Sequence, residues 1–564
     1  MRLHLIGLAL LMFGCKGKDS AIDPGSDDSV SCSEPSPVLM RRLSRTQYAN
    51  TVWATVDLLG GQTLTLDLAD VLSPRLDALP TDSTDAGLSR EDQAVTQAHA
   101  DAWYLVAELV ADRAIDPVHF DTVFDGCRDA ECVDDFVAAV IPRLHRRDLS
   151  ADELDFYVDD VYGSAPTHTD GLRDVVLVAM ASPYYAHLVE HGSTEEGDLV
   201  QLTAYELANR LSYHFWSAPP DDALWSLAVD GSLLDDVVFT TQVARVFADP
   251  QTDDSLDSFF SEWLEIDQVA PMSSLVGSPK FDAFRAGFTP SPQLTSDMQQ
   301  DALDLIRWHI QHDGTLDDLW TSDLNTIPSA ELAEIYGASP WDGSSTPQRL
   351  DDGVHAGLLT RPAFTASGLP STRPIHKGVM IRKRVLCDQL GSPPADIGEE
   401  PDVDPLTSTR ERTEALTQIP GTSCAGCHEY INGLGFATEN FDGLGRHRTT
   451  EPIFAEDGSH LGDTPVVTQG MPRVELEAED ILTDAIALAD ALAASTKTDT
   501  CVARYWFRQA YGHTEDLVAD RCALESVSDV LTAGRPLADG LREIALHPAF
   551  KLRKFDASAV GGAL

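Results

Sequence analysis

Cys424-Ala425-Gly426-Cys427-His428 holds the residues of this chain best suited to chemistry. It is a C-x-x-C-H motif, the signature of covalent c-type haem attachment. Two thiols at this spacing share one helical turn, and each can add to a haem vinyl group. The following imidazole can ligate the iron from the proximal side. Two other readings compete. Half of a zinc site would need a second CxxC or a suitable Cys/His pair, which the sequence does not offer. A thioredoxin-like redox pair would sit in a βαβ pattern, which does not surround the motif. With a single CxxCH, the expectation is one haem c per chain, held by Cys424 and Cys427 with His428 on iron.

A sixth iron ligand would be Met or His. Met471, in Gly470-Met471-Pro472, lies downstream, where a cytochrome c fold commonly supplies its Met. His376, at the start of an expected helix, is the competitor; Met380, His447 and His460 rank below them. A loop Met that merely fills space, or an exposed helix-start His, is the plainer reading for each. Arg446 and Arg448 follow the motif closely and could bind haem propionates bidentately. The alternative is that they balance nearby acids.

The N-terminus agrees on compartment. Met1-Arg2 opens a basic start, Leu5 to Phe13 is apolar, and Gly14-Cys15 follows. This reads as a secretory signal over 1–14, too short to span a membrane as a helix. Gly14-Cys15 resembles a bacterial lipobox, although Met12 and Phe13 are bulky for one. Cleavage before Cys15 would leave it lipidated, with 15–37 as a Ser/Asp/Gly/Pro-rich tether. An ordinary signal peptide with an incidental Cys is the alternative. The expected location is exported and lipid-anchored to the bacterial cell envelope, on its periplasmic or outer-surface side. Lys16 is unlike a cytoplasmic-membrane retention signal, so the outer membrane is a destination open to it.

Lys and Arg number 40 against 91 Asp and Glu, a net charge of −51. Such a field disfavours nucleic acid and anionic membrane surfaces as partners. The acids are spread along the chain, as in a heavily hydrated surface. Pairs such as Asp221-Asp222 and Asp317-Asp318 therefore read as helix starts and solvated faces. With Cys15, Cys424 and Cys427 set aside, six cysteines remain: Cys32, Cys127, Cys132, Cys387, Cys501 and Cys522. Cys127 and Cys132 are close enough to staple a loop. Cys501 and Cys522 flank a helix and turn, which would leave Cys32 for Cys387; six cysteines do not fix their own connectivity.

The expected fold is mainly α with little β: multi-helical modules around a c-type cytochrome-like haem module. Capping boxes Ser44-x-x-Gln47, Ser150-x-x-Glu153 and Thr203-x-x-Glu206 open apolar-periodic runs. Trp103, Leu105, Val106 and Leu109 form one stripe within 98–110; Leu207, Leu211 and Phe215 form another, and both read as core. Later helices are expected at 294–312, 375–390, 478–495, 500–511 and 537–547, and a short hairpin within 452–474. Loops or boundaries are expected at 277–292, 337–347 and 391–406. The expected modules are 38–165 and 166–345 (helical), 346–450 (haem) and 451–564 (C-terminal helical).

Over most of the body the chain resembles the large secreted cytochrome c-domain proteins of planctomycetes and myxobacteria, built from consecutive domains of unknown function. The resemblance begins at Arg42-Leu43-Ser44-Arg45-Thr46-Gln47-Tyr48-Ala49-Asn50-Thr51-Val52 and continues more weakly over 88–150. It is specific at Ala181-Ser182-Pro183-Tyr184-Tyr185 and at Leu202-Thr203-Ala204-Tyr205-Glu206-Leu207-Ala208-Asn209-Arg210-Leu211-Ser212-Tyr213 with Trp216. The haem module opens at Gly357-Leu358-Leu359-Thr360 and includes Pro374-Ile375-His376-Lys377-Gly378 and Leu386-Cys387. It ends in Gly435-Phe436-Ala437-Thr438-Glu439-Asn440-Phe441-Asp442-Gly443-Leu444-Gly445-Arg446, and Cys501-Val502-Ala503-Arg504 with Tyr511-Gly512 resembles the last module. Ile431-Asn432-Gly433 departs from the pattern, which has an apolar residue, Asp and Pro. The resemblance implies an extracytoplasmic, redox-active haem protein and names no substrate.

No Gly-rich phosphate loop, GxSxG elbow or HExxH is present. The leading expectation is electron transfer with an unidentified redox partner protein. A haem-dependent oxidative or peroxidase-like enzyme is the main rival. A helical binding or scaffold lipoprotein with an accessory haem is the third reading.

Overall fold

The computed structural model describes residues 35–37, 40–85, 88–89, 94–193, 199–391 and 403–555. The signal segment 1–14, Cys15, Cys32 and most of the tether lie outside them. The described chain is mainly helical, and its strands occur as short antiparallel pairs. It forms two compact units. Of the described residues, one unit comprises those within 260–503 and 528–540; the other comprises those within 35–259, 504–527 and 541–555.

In the second unit, local sequence and packing agree. Ser44 caps Arg45–Asp77 through a complete capping box with Gln47. The helix breaks at Gly61, where φ is 57° and ψ is −158°, a conformation open to glycine. Beyond the break Leu64, Leu68, Leu72 and Leu76 recur every fourth residue and are buried. Gln97–Ala114 and His168–Ala181 pack together and bury Val106, Val110, Val175 and Val176. Trp103 stacks on Tyr48 with ring centroids 5.6 Å apart, whereas Leu105, expected in the core, is 47% exposed. The other capping boxes form as read, at Ser150 and at Thr203, which opens Ala204–Trp216. Leu207, Leu211 and Phe215 are fully buried. The Cys127–Cys132 disulfide is present.

The first unit contains the haem-motif region. Its helices include Leu294–Gln311, Pro374–Met380 running into a π turn at Ile381–Val385, Thr409–Thr417, Ser423–His428, Asn432–Phe436 and Ala485–Ala493. Strands Thr450–Phe454 and His460–Pro465 make the expected hairpin. Two expectations are corrected here. The helix read at 478–495 starts only at Ala485, because Asp484 caps it and Leu482 exchanges both backbone hydrogen bonds with Gly470. Cys501 pairs with Cys387, not Cys522, across a sequence separation of 114. Neither Cys501–Cys522 nor Cys32–Cys387 therefore forms; Cys522 is itself disulfide-bonded.

Candidate haem site

The motif lies on Ser423–His428, a short helix started by Thr422, whose hydroxyl accepts from the Ala425 N–H at 3.2 Å. Residues three and four apart share a helix face, so Cys424, Cys427 and His428 present sulfur, sulfur and imidazole on one side. All three are half-buried. Cys424 is a free thiol and Cys427 is disulfide-bonded. A thioether at Cys427 would need the free thiol in place of this disulfide. Around Gly426 there is open space: an added Cβ would meet nothing within 4 Å.

His428 is held from below. Its Nδ1 lies 2.9 Å from Asn432 Oδ1, and Asn432 Nδ2 donates to Thr417 Oγ1 at 2.9 Å. Thr417 in turn donates to the Thr413 carbonyl at 2.6 Å. The donor set fits a c-type haem: two cysteines on one turn, and an imidazole whose Nε2 is left for iron.

Glycines let the backbone close around this turn. A Cβ at Gly435 would come within 1.9 Å of the Pro374 carbonyl oxygen, and one at Gly378 within 2.2 Å of that of Ile431. Pro374–Met380 and Asn432–Phe436 thus meet without side chains between them. At Gly433 a Cβ would lie 2.1 Å from Met471 O, so the Met471 backbone abuts the residue after Asn432. The departure Ile431-Asn432-Gly433 consequently has a local reason at Gly433.

Arg382, fully buried, ties these parts together. Its guanidinium donates to Tyr430 O at 3.0 and 2.8 Å, to Pro472 O at 2.6 Å and to Arg473 O at 2.8 Å. It also pairs with Asp388 at 2.8 Å, and Asp388 meets Lys497 at 2.7 Å. The sequence reading missed this residue. Its one signal was a basic run, Arg382-Lys383-Arg384, in an acidic chain.

The remaining candidates separate. A cavity of about 920 Å³ is lined by residues 370–376 and Val379, by Thr409, Arg412, Thr413 and Leu416, and by residues 451–456 of the hairpin. His376 lines it with a side chain 62% exposed, its Nε2 3.9 Å from Glu265. Cys424, Cys427, His428 and Met471 are not among its lining residues. Met380 is buried, and His460 is exposed and paired with Asp463 at 3.0 Å. His447 packs edge-on to Phe441. Arg446 pairs with Asp442 at 2.7 Å and donates to the carbonyls of Phe284 and Arg285. Arg448 donates to Glu439 O at 3.1 Å and lies 3.5 Å from its carboxylate. Neither arginine lines the 920 Å³ cavity, whereas Arg373 and Arg412 do.

Lys377, next in sequence to His376, is buried and donates to Thr438 at 3.2 Å. Burial pushes its ammonium down to about 8 against the pull of Glu439. Burial raises the Glu439 carboxyl above its ordinary range, opposed by Lys377 and by the Thr372 hydroxyl at 2.6 Å.

Among the described residues no helix is long and apolar enough to cross a membrane. Residues 355–451, which contain the motif, match a family model described as PSCyt3, a protein of unknown function (DUF1588). Residues 202–338 match PSD4, a protein of unknown function (DUF1592). No curated protein and no solved structure matches the chain. The chain therefore carries consecutive domains of unknown function, consistent with a cytochrome c-related family.

Proposed function

We propose that this chain is an exported, lipid-anchored c-type haem protein that passes electrons to or from a partner protein. The observation that carries this reading is the His428 arrangement: a CxxCH imidazole on the cysteine face, with Nδ1 engaged by Asn432 and Nε2 left over. Cys424 and Cys427 hold the macrocycle and His428 the iron, while Met471 and His376 are the candidates for the far side. When bound, haem supplies a one-electron couple at iron. The protein's part is to fix the imidazole, to seat the ring and to tether the module to the cell envelope, on its periplasmic or outer-surface side, through Cys15.

The test is a pyridine haemochrome and redox titration of the full chain matured with haem-attachment machinery. One haem c per chain and a one-electron wave are expected. Haem staining that survives Cys424→Ala with Cys427→Ala on a denaturing gel would refute the assignment. Release of Cys15→Ala from the membrane fraction tests the anchor; retention after a high-salt wash would refute it.

A further inference from the structure

We propose that Asn432 selects the imidazole tautomer of His428 and, being uncharged, holds the haem potential above the value a carboxylate at this position would give. The proposal rests on the haem reading for its second half only.

The first half follows from counting protons. The Thr417 hydroxyl has one, and it is committed to Thr413 O at 2.6 Å. Toward Asn432 that oxygen can therefore only accept, so the group facing it 2.9 Å away is the Asn432 NH₂. The Asn432 carbonyl oxygen then faces His428 Nδ1 at 2.9 Å. A carbonyl has no proton to give, so Nδ1 carries the hydrogen, and Nε2 of the neutral ring has the lone pair. Thr417 is 4% exposed and Asn432 2% exposed, so water does not compete readily for either group.

The second half is electrostatic. A hydrogen-bond acceptor on the far nitrogen raises the basicity of an iron-ligating His. An anionic acceptor would do so more strongly, and would itself favour the oxidised iron over the reduced one. Asn432 supplies the orientation without the charge. Its side chain is bonded to the Thr417 hydroxyl and the His428 imidazole, neither of them a carboxylate.

Two measurements on the full chain separate the halves. In unmatured protein labelled with ¹⁵N, at a pH alkaline enough for a neutral ring, His428 is expected to show protonated Nδ1 and bare Nε2. Thr417→Val leaves the Asn432 NH₂ without its acceptor and should give a mixture of both tautomers. A protonated Nε2 in wild type, or an unchanged tautomer in Thr417→Val, would overturn the selection, whatever the haem does. In matured protein, Asn432→Asp should lower the midpoint potential. The expected drop corresponds to at least a tenfold shift of the oxidised-to-reduced ratio, about 59 mV for a one-electron couple. A potential that stays the same or rises would overturn the second half. Absence of covalent haem, read by the haemochrome, would remove the potential-setting role and the haem reading together. The tautomer result would still decide the first half.

Discussion

Replacing Arg382 by Met should uncouple the Met471 loop from the haem-motif turn. The side chain is completely buried and donates to three carbonyls, those of Tyr430, Pro472 and Arg473. Each acceptor left unsatisfied costs roughly 1–3 kcal/mol. Breaking a buried ion pair usually costs about 3–5 kcal/mol, because a lone charge is stranded. Here that part is reduced, since Asp388 keeps Lys497 at 2.7 Å. The carbonyls should dominate, giving a loss of about 4–5 kcal/mol, a large fraction of the 5–15 kcal/mol typical of a folded domain. Urea unfolding measures the total. Amide exchange should report the location, with lost protection at Leu434 and Gly435, whose N–H groups bond to Ile431 O. Arg382→Lys keeps the charge but not the fork, so it should lose about half as much. Lys497→Met should cost less than Arg382→Met, because Asp388 retains a cation at 2.8 Å. The reasoning fails if Arg382→Met stays within about 1 kcal/mol of wild type with exchange at these amides unchanged.

Other expectations follow from the same contacts. Chain-entropy reasoning makes the Cys387–Cys501 bridge, with its separation of 114, worth about 5 kcal/mol, against about 2 kcal/mol for Cys127–Cys132, with a separation of 5. Paired Cys→Ser variants compared in urea should reproduce that order, and equal losses would contradict it. Lys377 holds its proton less tightly when folded, at about 8 against an ordinary value of 10.5. Stability should therefore gain about 3 kcal/mol as pH rises from about 8 to 10.5 and change little from this group below that window. Lys377→Met should abolish this rise, and a wild-type-like pH profile in the variant would assign it elsewhere. If haem is bound as proposed, with Met471 on its far side, Met471→Ala should erase the near-infrared thioether–iron band of the oxidised protein. A bis-His spectrum lost in His376→Ala would instead move the ligand to His376.

Features governed by neighbours in sequence were legible in advance. Ser44, Ser150 and Thr203 cap the helices they were read to cap, because each box is completed within three residues. The Cys127–Cys132 staple is equally local. Long-range pairing was not. Proximity along the chain suggested Cys501 with Cys522, but packing brings Cys501 to Cys387. Leu105 matched the apolar stripe yet faces solvent, because Val106, Val110 and Ala114 supply the buried face of Gln97–Ala114. The overextended helix at 478 shows the same limit: Leu482 is claimed by Gly470, twelve residues earlier, a partner invisible to periodicity. At the site, the motif announced itself, but the side chains that orient it did not. Arg382 reaches carbonyls 48 and 90 residues away. In the sequence Asn432 stands out only as a departure from a pattern; its contact with Thr417, fifteen residues earlier, gives it its use.

The Cys387–Cys501 bridge also changes what a cut in the chain can do. The haem motif at 424–428 lies wholly inside the loop that this bond closes. A single protease nick anywhere from 388 to 500 leaves both fragments covalently joined, so the motif cannot be shed while the bond is oxidised. A nicked population should migrate as a full-length band without reductant and split only when reductant is added. The same bond diverts tension applied between the chain ends: once drawn tight, it carries the load past the loop, and the turn bearing Cys424, Cys427 and His428 is spared. The disulfide acts as a bypass around residues 424–428.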